Sequence, residues 1–253
     1  MKVCKVYCTY FGIRRGAASA GPGNDSEVLS VFKKNIDNDK VLDCGVDNMD
    51  IIVMNNHSDT ISKKSVDYLN SINGTETKYG KIIVVNRENK GGSLGAYSEA
   101  FDIFEDEYDY WFFIEDDLRM TYSRYYEMMI NEFSDDKLGF LSLTLINDEN
   151  NINRRHVSGG FGCTKKEILK EVKEKYGKLP YDLNPMSNSY GRFGQSEMYF
   201  TNCYVQMGYD VRIPNNRDII PLADNWKSFP PHVMWQNRKK FDLNKNFLYH
   251  IGE

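Results

Sequence analysis

The chain has few cysteines, and they are scattered. Cys4, Cys8, Cys44, Cys163 and Cys203 make an odd count, and no two are spaced C-x-x-C. This spacing excludes a disulfide scaffold and a cysteine-rich zinc site. Reduced thiols in a cytosolic protein are the expectation. No run approaches the roughly 18–20 apolar residues of a membrane span. Met1-Lys2-Val3-Cys4-Lys5 enters a strand-like run with no signal-peptide core. An excess of one charge is also lacking: 32 Lys and Arg against 36 Asp and Glu leave a net charge of −4. That balance excludes wholesale coating of nucleic acid or of an anionic membrane. There is no repeat at a solenoid period. The expected location is the cytoplasm, with peripheral membrane attachment through the aromatic, basic region after Arg217 left open.

What is present is an ordinary globular composition. At 253 residues, 41% hydrophobic and 27% charged, the chain can bury roughly 70–75% of its extended surface without a metal or disulfide. Short apolar runs alternate with amphipathic stretches. Strands are expected at Val3 to Phe11, Asp50 to Met54, Lys81 to Val85 and Tyr110 to Ile114. Helices are expected at Ser26 to Ile36 (capped by Asn24 or Asp25), at Ser62 to Ile72, and after Gly91-Gly92-Ser93. This alternation predicts βαβ units and a mostly parallel sheet. Further on, strands are expected at Leu138 to Leu145, Val157 to Cys163 and Tyr209 to Ile213. A Thr164–Glu167 capping box should start one helix, and Glu197 to Met207 forms another, ended by Gly208. No linker interrupts the chain. It reads as one domain, 1–253, with a nucleotide-binding half (1–120) and an acceptor-binding half (121–253).

Ligands of such sheets sit beyond the carboxyl ends of the strands. Here those ends are polar: Asn55-Asn56, Asn86-Arg87 and Glu115-Asp116-Asp117. Three successive carboxylates repel one another, so a divalent cation with a diphosphate is one reading. A solvated acidic turn is the other.

Phe113-Ile114-Glu115-Asp116-Asp117-Leu118 resembles the Asp-x-Asp-type motif of nucleotide-sugar glycosyltransferases. It is close to the Glu-Asp-Asp-Leu version in N-acetylglucosaminyltransferase I. The wider layout resembles the inverting family 2. Thr9-Tyr10-Phe11 is similar to that family's first strand end but lacks its Asn, and Asn55-Asn56-His57-Ser58 matches in position but not in charge. Asn89-Lys90-Gly91-Gly92-Ser93-Leu94-Gly95-Ala96 resembles the small-residue helix start. Together these cover roughly the first half of the chain. The resemblance implies an α/β, GT-A (Rossmann-like) fold with a mixed, mostly parallel sheet flanked by helices. It also implies Mn²⁺ or Mg²⁺ and a nucleotide diphosphate-sugar donor, with UDP or GDP the expected nucleotides. Asp117 would bind the metal. Glu115 would bind the ribose or, through water, the metal, and Asp116 is counted with it among the donor-binding residues. Thr9, Tyr10, Asn55 and Arg87 would face the nucleotide, and Gly91, Gly92 and Ser93 would let its phosphates approach a helix N-terminus.

In the second half, Glu197 matches the position of the family's general base, with Asp182 as a second candidate. By its own placement Glu197 reads equally as an acid in a first helical turn. His232 is either a metal ligand or a structural histidine, and Arg238, Lys239 and Lys240 could close over a diphosphate. Acceptor classes stay open: a glycan, a lipid-linked sugar, a protein or a modified nucleic-acid base. Two rival functions remain. The Gly-rich run Gly12–Gly23 partly fits a sugar-phosphate nucleotidyltransferase, and Arg154 and Arg155 allow a noncatalytic sugar- or nucleic-acid-binding module.

Overall fold

The computed structural model describes residues 1–12, 25–120, 123–142, 145–146, 156–157, 161–179, 189–212 and 233–235. The elements run β1 (Val3–Thr9), α1 (Asp25–Val41), β2 (Met49–Asn56), α2 (Lys63–Ile72), β3 (Ile82–Arg87), α3 (Gly92–Phe104) and β4 (Tyr110–Glu115). They continue β5 (Leu118–Met120), α4 (Tyr125–Glu132), β6 (Leu138–Ser142), β7 (Leu145–Ile146), β8 (His156–Val157) and β9 (Gly162–Lys165). The last are α5 (Lys166–Tyr176), α6 (Ser189–Gln206), β10 (Asp210–Arg212) and β11 (Val233–Trp235).

Seven strands form one sheet in the order β10-β6-β9-β4-β1-β2-β3. β1, β2, β3 and β4 pair in parallel, as does β10 with β6, while β9 is antiparallel to both its neighbours. The sheet is therefore mixed and mostly parallel, as the alternation predicts. Parallel strands covered on both faces must be apolar throughout, and β1, β2 and nearly all of β4 are buried. The aromatics of β4 divide between the faces. Trp111 meets Phe101 edge-on at 5.0 Å, and Phe113 stacks on Tyr97 of α3 at 4.6 Å. Phe112 meets Tyr126 of α4 on the other face at 4.5 Å. Such pairs each add about 0.5–1.5 kcal/mol to their burial.

One charged residue of β1 breaks the apolar rule. Lys5 is 1% exposed, and its ammonium donates to both carboxylate oxygens of Asp39 in α1 at 2.7 Å, with the Tyr7 hydroxyl adding a 2.8 Å bond. Burial pulls the Lys5 pKa down, and the Asp39 charge opposes that shift.

Three helix starts differ from expectation. Asn24 lies outside the described residues. Asp25 begins α1, but its carboxylate reaches across to α2, accepting from the Ser62 and Ser65 hydroxyls at 2.5 and 2.7 Å. Ser62 caps α2, accepting from the Ser65 N–H. Thr164 does not cap α5. It lies inside β9, and its hydroxyl donates to the Gly139 carbonyl at 2.7 Å. Sheet pairing thus overrides a local capping box. The third difference is α6, which starts at Ser189, so Glu197 sits two turns inside the helix. The reading of Glu197 as a first-turn acid is overturned. No helix among the described residues is long and apolar enough to cross a membrane.

Candidate functional site

The parallel register lines up the polar strand ends. Thr9 pairs with Asn55 and Asn55 with Asn86. The Thr9 hydroxyl donates to the Asn55 amide oxygen at 3.3 Å, and the Asn55 amide donates to Asn86 at 2.8 Å. Thr9 and Asn55 are buried, and the ladder ends on exposed Asn86. Asn86 was not among the expected site residues. Its signal was its place at a strand end, next to Arg87.

The other face of the same ends carries a second network. Arg87 is 6% exposed. Its guanidinium donates to Glu99 at 2.7 Å, to the Lys90 carbonyl at 2.9 Å and to the Asn56 side chain. Asn56 in turn donates to the Cys8 sulfur at 3.1 Å. Arg87 is therefore built into the protein, bracing the turn that leads into α3.

That turn depends on glycine. Gly91 (φ 72°) and Gly92 (φ 56°) both occupy the left-handed region, which side chains disfavour. At Gly95 any Cβ would run into the Lys90 carbonyl. The turn can therefore fold back tightly and deliver Ser93 to the acidic cluster, where its hydroxyl donates to Glu115.

The three acids occupy different surroundings. Glu115 is half-buried beside Ser93. Asp116 is 0% exposed, and its carboxylate accepts from the Tyr10 N–H at 3.1 Å. The Asp116 N–H donates to the Cys8 carbonyl at 3.2 Å, and its carbonyl accepts from the Asn35 amide at 2.7 Å. Asp117 is 4% exposed and starts the turn into β5. Tyr97, one helical turn beyond Ser93, is fully buried, and its hydroxyl has no hydrogen-bond partner among the described residues. Burial pushes its phenol well up, and the charges of Cys8, Glu115 and Asp117 add to the shift.

Thr9, Tyr10, Asn55, Arg87, Gly91, Gly92, Ser93, Glu115, Asp116 and Asp117 thus all lie at the carboxyl ends of β1 to β4. Glu197 lies elsewhere. It is half-buried on α6, one turn before Thr201, whose hydroxyl accepts from the Val157 N–H at 2.9 Å. α6 packs on β8 and β10, and Phe200 meets Phe140 of β6 edge-on. β6 is two strand positions from β4, roughly 10 Å at the usual strand spacing. Asp182, His232, Arg154, Arg155, Arg238, Lys239, Lys240 and the loop 13–24 lie outside the described residues. β11, which follows His232 in the chain, pairs antiparallel with β5 and sets Trp235 opposite Leu118, next to Asp117.

The donor chemistry of the cluster suits a hard divalent cation. Glu115 and Asp117 offer only oxygen, and no group of three His, Cys, Asp or Glu side chains among the described residues forms a cage. One or two carboxylates with phosphate oxygens and water is the ordinary way to hold Mg²⁺ or Mn²⁺.

No family model and no curated protein matches the chain. Solved structures do. The mannosyltransferase PcManGT from Pyrobaculum calidifontis, in complex with GDP-Man and Mn²⁺, aligns over 85% of this chain and 55% of its own, with a TM-score of 0.53 at 13% identity. The fold is shared with that mannosyltransferase. TarS from S. aureus aligns over 86% of this chain and 36% of its own, with a TM-score of 0.53 at 10% identity. The chain therefore spans about half, or less, of the length of these structures. A 4-diphosphocytidyl-2C-methyl-D-erythritol synthase from Anaerococcus prevotii matches with a TM-score of 0.40, too low to carry an argument. At these identities the likeness shows the fold alone, the mixed, mostly parallel sheet flanked by helices that the resemblance implies.

Proposed function

We propose that the chain is a metal-dependent glycosyltransferase, moving a sugar from a nucleotide diphosphate donor to an acceptor hydroxyl with inversion. One observation carries the reading. The Thr9–Asn55–Asn86 ladder, the Gly91-Gly92-Ser93 turn and the carboxylates Glu115 and Asp117 converge at one end of the parallel sheet. A nucleotide, a diphosphate and a cation need those three chemistries side by side.

In this reading Tyr10 and the amide ladder bind the base and ribose. Amides both donate and accept, so they suit uracil or guanine. The α3 N-terminus favours the phosphates through its dipole and its unpaired N–H groups. Asp117, with Glu115 directly or through water, would hold Mg²⁺ or Mn²⁺, which when bound neutralises charge on the departing diphosphate. Arg87 acts through Asn56 and the Lys90 carbonyl, keeping the turn in place. Glu197 accepts the proton of the acceptor hydroxyl as its oxygen bonds to the sugar C1 from the face opposite the diphosphate, whose bond to C1 breaks in the same step. Asp182 and His232 stay candidates for base and metal ligand on their sequence positions. The acceptor bears a hydroxyl and belongs to one of four classes: a glycan, a lipid-linked sugar, a protein or a modified nucleic-acid base. The GDP-Man and Mn²⁺ of the P. calidifontis structure make GDP the first nucleotide to try.

The test is a thermal-shift screen of GDP, UDP, CDP and TDP with and without Mn²⁺. A ligand at a hundred times its Kd adds about 2.7 kcal/mol, roughly 5–10 °C at this length. The expected result is a shift with one nucleotide that needs Mn²⁺ and is lost in Asp117→Ala. No shift with any of the four from folded protein would overturn the reading.

A further inference from the structure

Asn35 lies mid-way along α1, 0% exposed, beside the apolar residues Phe32 and Ile36. A buried amide in a helix core costs stability unless it is paired. Its amide donates to the Asp116 carbonyl at 2.7 Å, across 81 residues of sequence. That carbonyl belongs to the peptide joining Asp116 to Asp117. The peptide on the other side, between Glu115 and Asp116, is held by the Asp116 N–H on the Cys8 carbonyl. The Asp116 side chain is held by the Tyr10 N–H. Both peptide planes flanking Asp116 are thereby set, and with them the directions in which Glu115 and Asp117 leave the backbone.

We propose that Asn35 is a positioning residue: by pinning the Asp116–Asp117 peptide it orients the Asp117 carboxylate toward the cation and diphosphate. The inference rests on the glycosyl-transfer reading and adds to it a residue distant in sequence from the acidic cluster. The same helix carries a built-in control. Asn38, one turn on, donates to the Met120 carbonyl at 2.9 Å, a bond of the same kind made beyond the acidic cluster. Of these two bonds from α1, the Asn35 one falls on the peptide between the acids and the Asn38 one does not.

The experiment titrates Mn²⁺ at fixed GDP, and separately at fixed UDP, against the full chain by calorimetry. The unmodified protein, Asn35→Leu, Asn35→Ala and Asn38→Leu are compared, with nucleotide alone in EDTA as the reference. Asn35→Leu should weaken Mn²⁺-dependent binding about tenfold or more and leave binding in EDTA unchanged. Asn35→Ala, which admits water beside the carbonyl, carries the same test if the leucine variant does not fold. Asn38→Leu should lower the melting temperature while keeping the Mn²⁺ response within about twofold. Unchanged Mn²⁺ affinity in a folded Asn35 variant, or an equal loss in Asn38→Leu, overturns the inference alone. Absence of Mn²⁺-dependent binding in the unmodified protein overturns the glycosyl-transfer reading and this inference with it.

Discussion

Asp50 near the start of β2 and Glu115 at the end of β4 lie at opposite ends of the same parallel sheet, and their surroundings differ. At the amino ends, acids meet cations. Asp50 takes the Lys2 ammonium at 3.1 Å, the Lys81 N–H at 2.8 Å and the Tyr108 hydroxyl at 2.9 Å. Asp109 takes the Lys2 N–H at 2.7 Å and the Lys166 ammonium at 3.5 Å. At the carboxyl ends two neutral donors reach the acids: the Ser93 hydroxyl bonds Glu115 and the Tyr10 N–H bonds Asp116. A neutral donor aims a carboxylate without cancelling its charge. The amino ends are tied together by ion pairs, and in the proposed reading the carboxyl ends meet a cation that the chain does not supply.

The largest test of that contrast exchanges the two ends. Asp117→Ala should lower transfer about a thousandfold, several kcal/mol of lost charge stabilisation, and leave the melting temperature within a few degrees. Asp50→Ala should do the reverse, with a lowered melting temperature and an unchanged nucleotide response. Transfer assays beside thermal melts decide between them.

Second in size is the Lys5–Asp39 pair, which lies between the two ends. Lys5→Met leaves a carboxylate buried without its cation and should cost about 3–5 kcal/mol, read from the urea midpoint. The double variant Lys5→Met/Asp39→Leu should regain most of that loss.

A smaller effect follows from acid. Burial pushes the Asp50 carboxyl up, but the Lys81 N–H, the Tyr108 hydroxyl and Lys2 outweigh it and hold the carboxyl below the usual carboxylate value. The folded state therefore binds this proton less readily than the unfolded chain. The resulting stability is complete above the unfolded pKa of about 3.9 and is lost as pH falls through the lower folded value. Asp50→Asn should flatten the stability profile in that range, measured by melts between neutral pH and strong acid. The smallest change is Lys170→Ala. It removes an exposed pair with Asp106 and should barely move the melting temperature, a change that disappears in high salt.

Much of this site was legible in the sequence because its residues are contiguous. Glu115-Asp116-Asp117 follow a wholly apolar strand, and Gly91-Gly92-Ser93 precede a helix, so local pattern alone puts them at element ends. Arg87 and Asp116 show what local pattern misses. Arg87 is held by Glu99, Asn56 and the Lys90 carbonyl, and Asp116 by the Tyr10 N–H and the Asn35 amide, partners that are distant or unmarked in the linear chain. Thr164 shows the converse error: its spacing to Glu167 is right for a cap, but a central strand claims the residue.

Periodicity determined the order of strands and helices in β1 to β4, because a buried parallel strand needs an unbroken apolar run and a covering helix needs an apolar stripe. Periodicity also determined that the polar clusters fall where strands end. Only the tertiary structure decided what those clusters do. Asn35 and Asp39 break the apolar stripe of α1, and in the linear chain they look like ordinary surface residues. Their partners, the Asp116 carbonyl and Lys5, lie 81 and 34 residues away. A hydrogen bond depends on distance in space, so folding alone turns an amide in a helix into the support of an acidic turn.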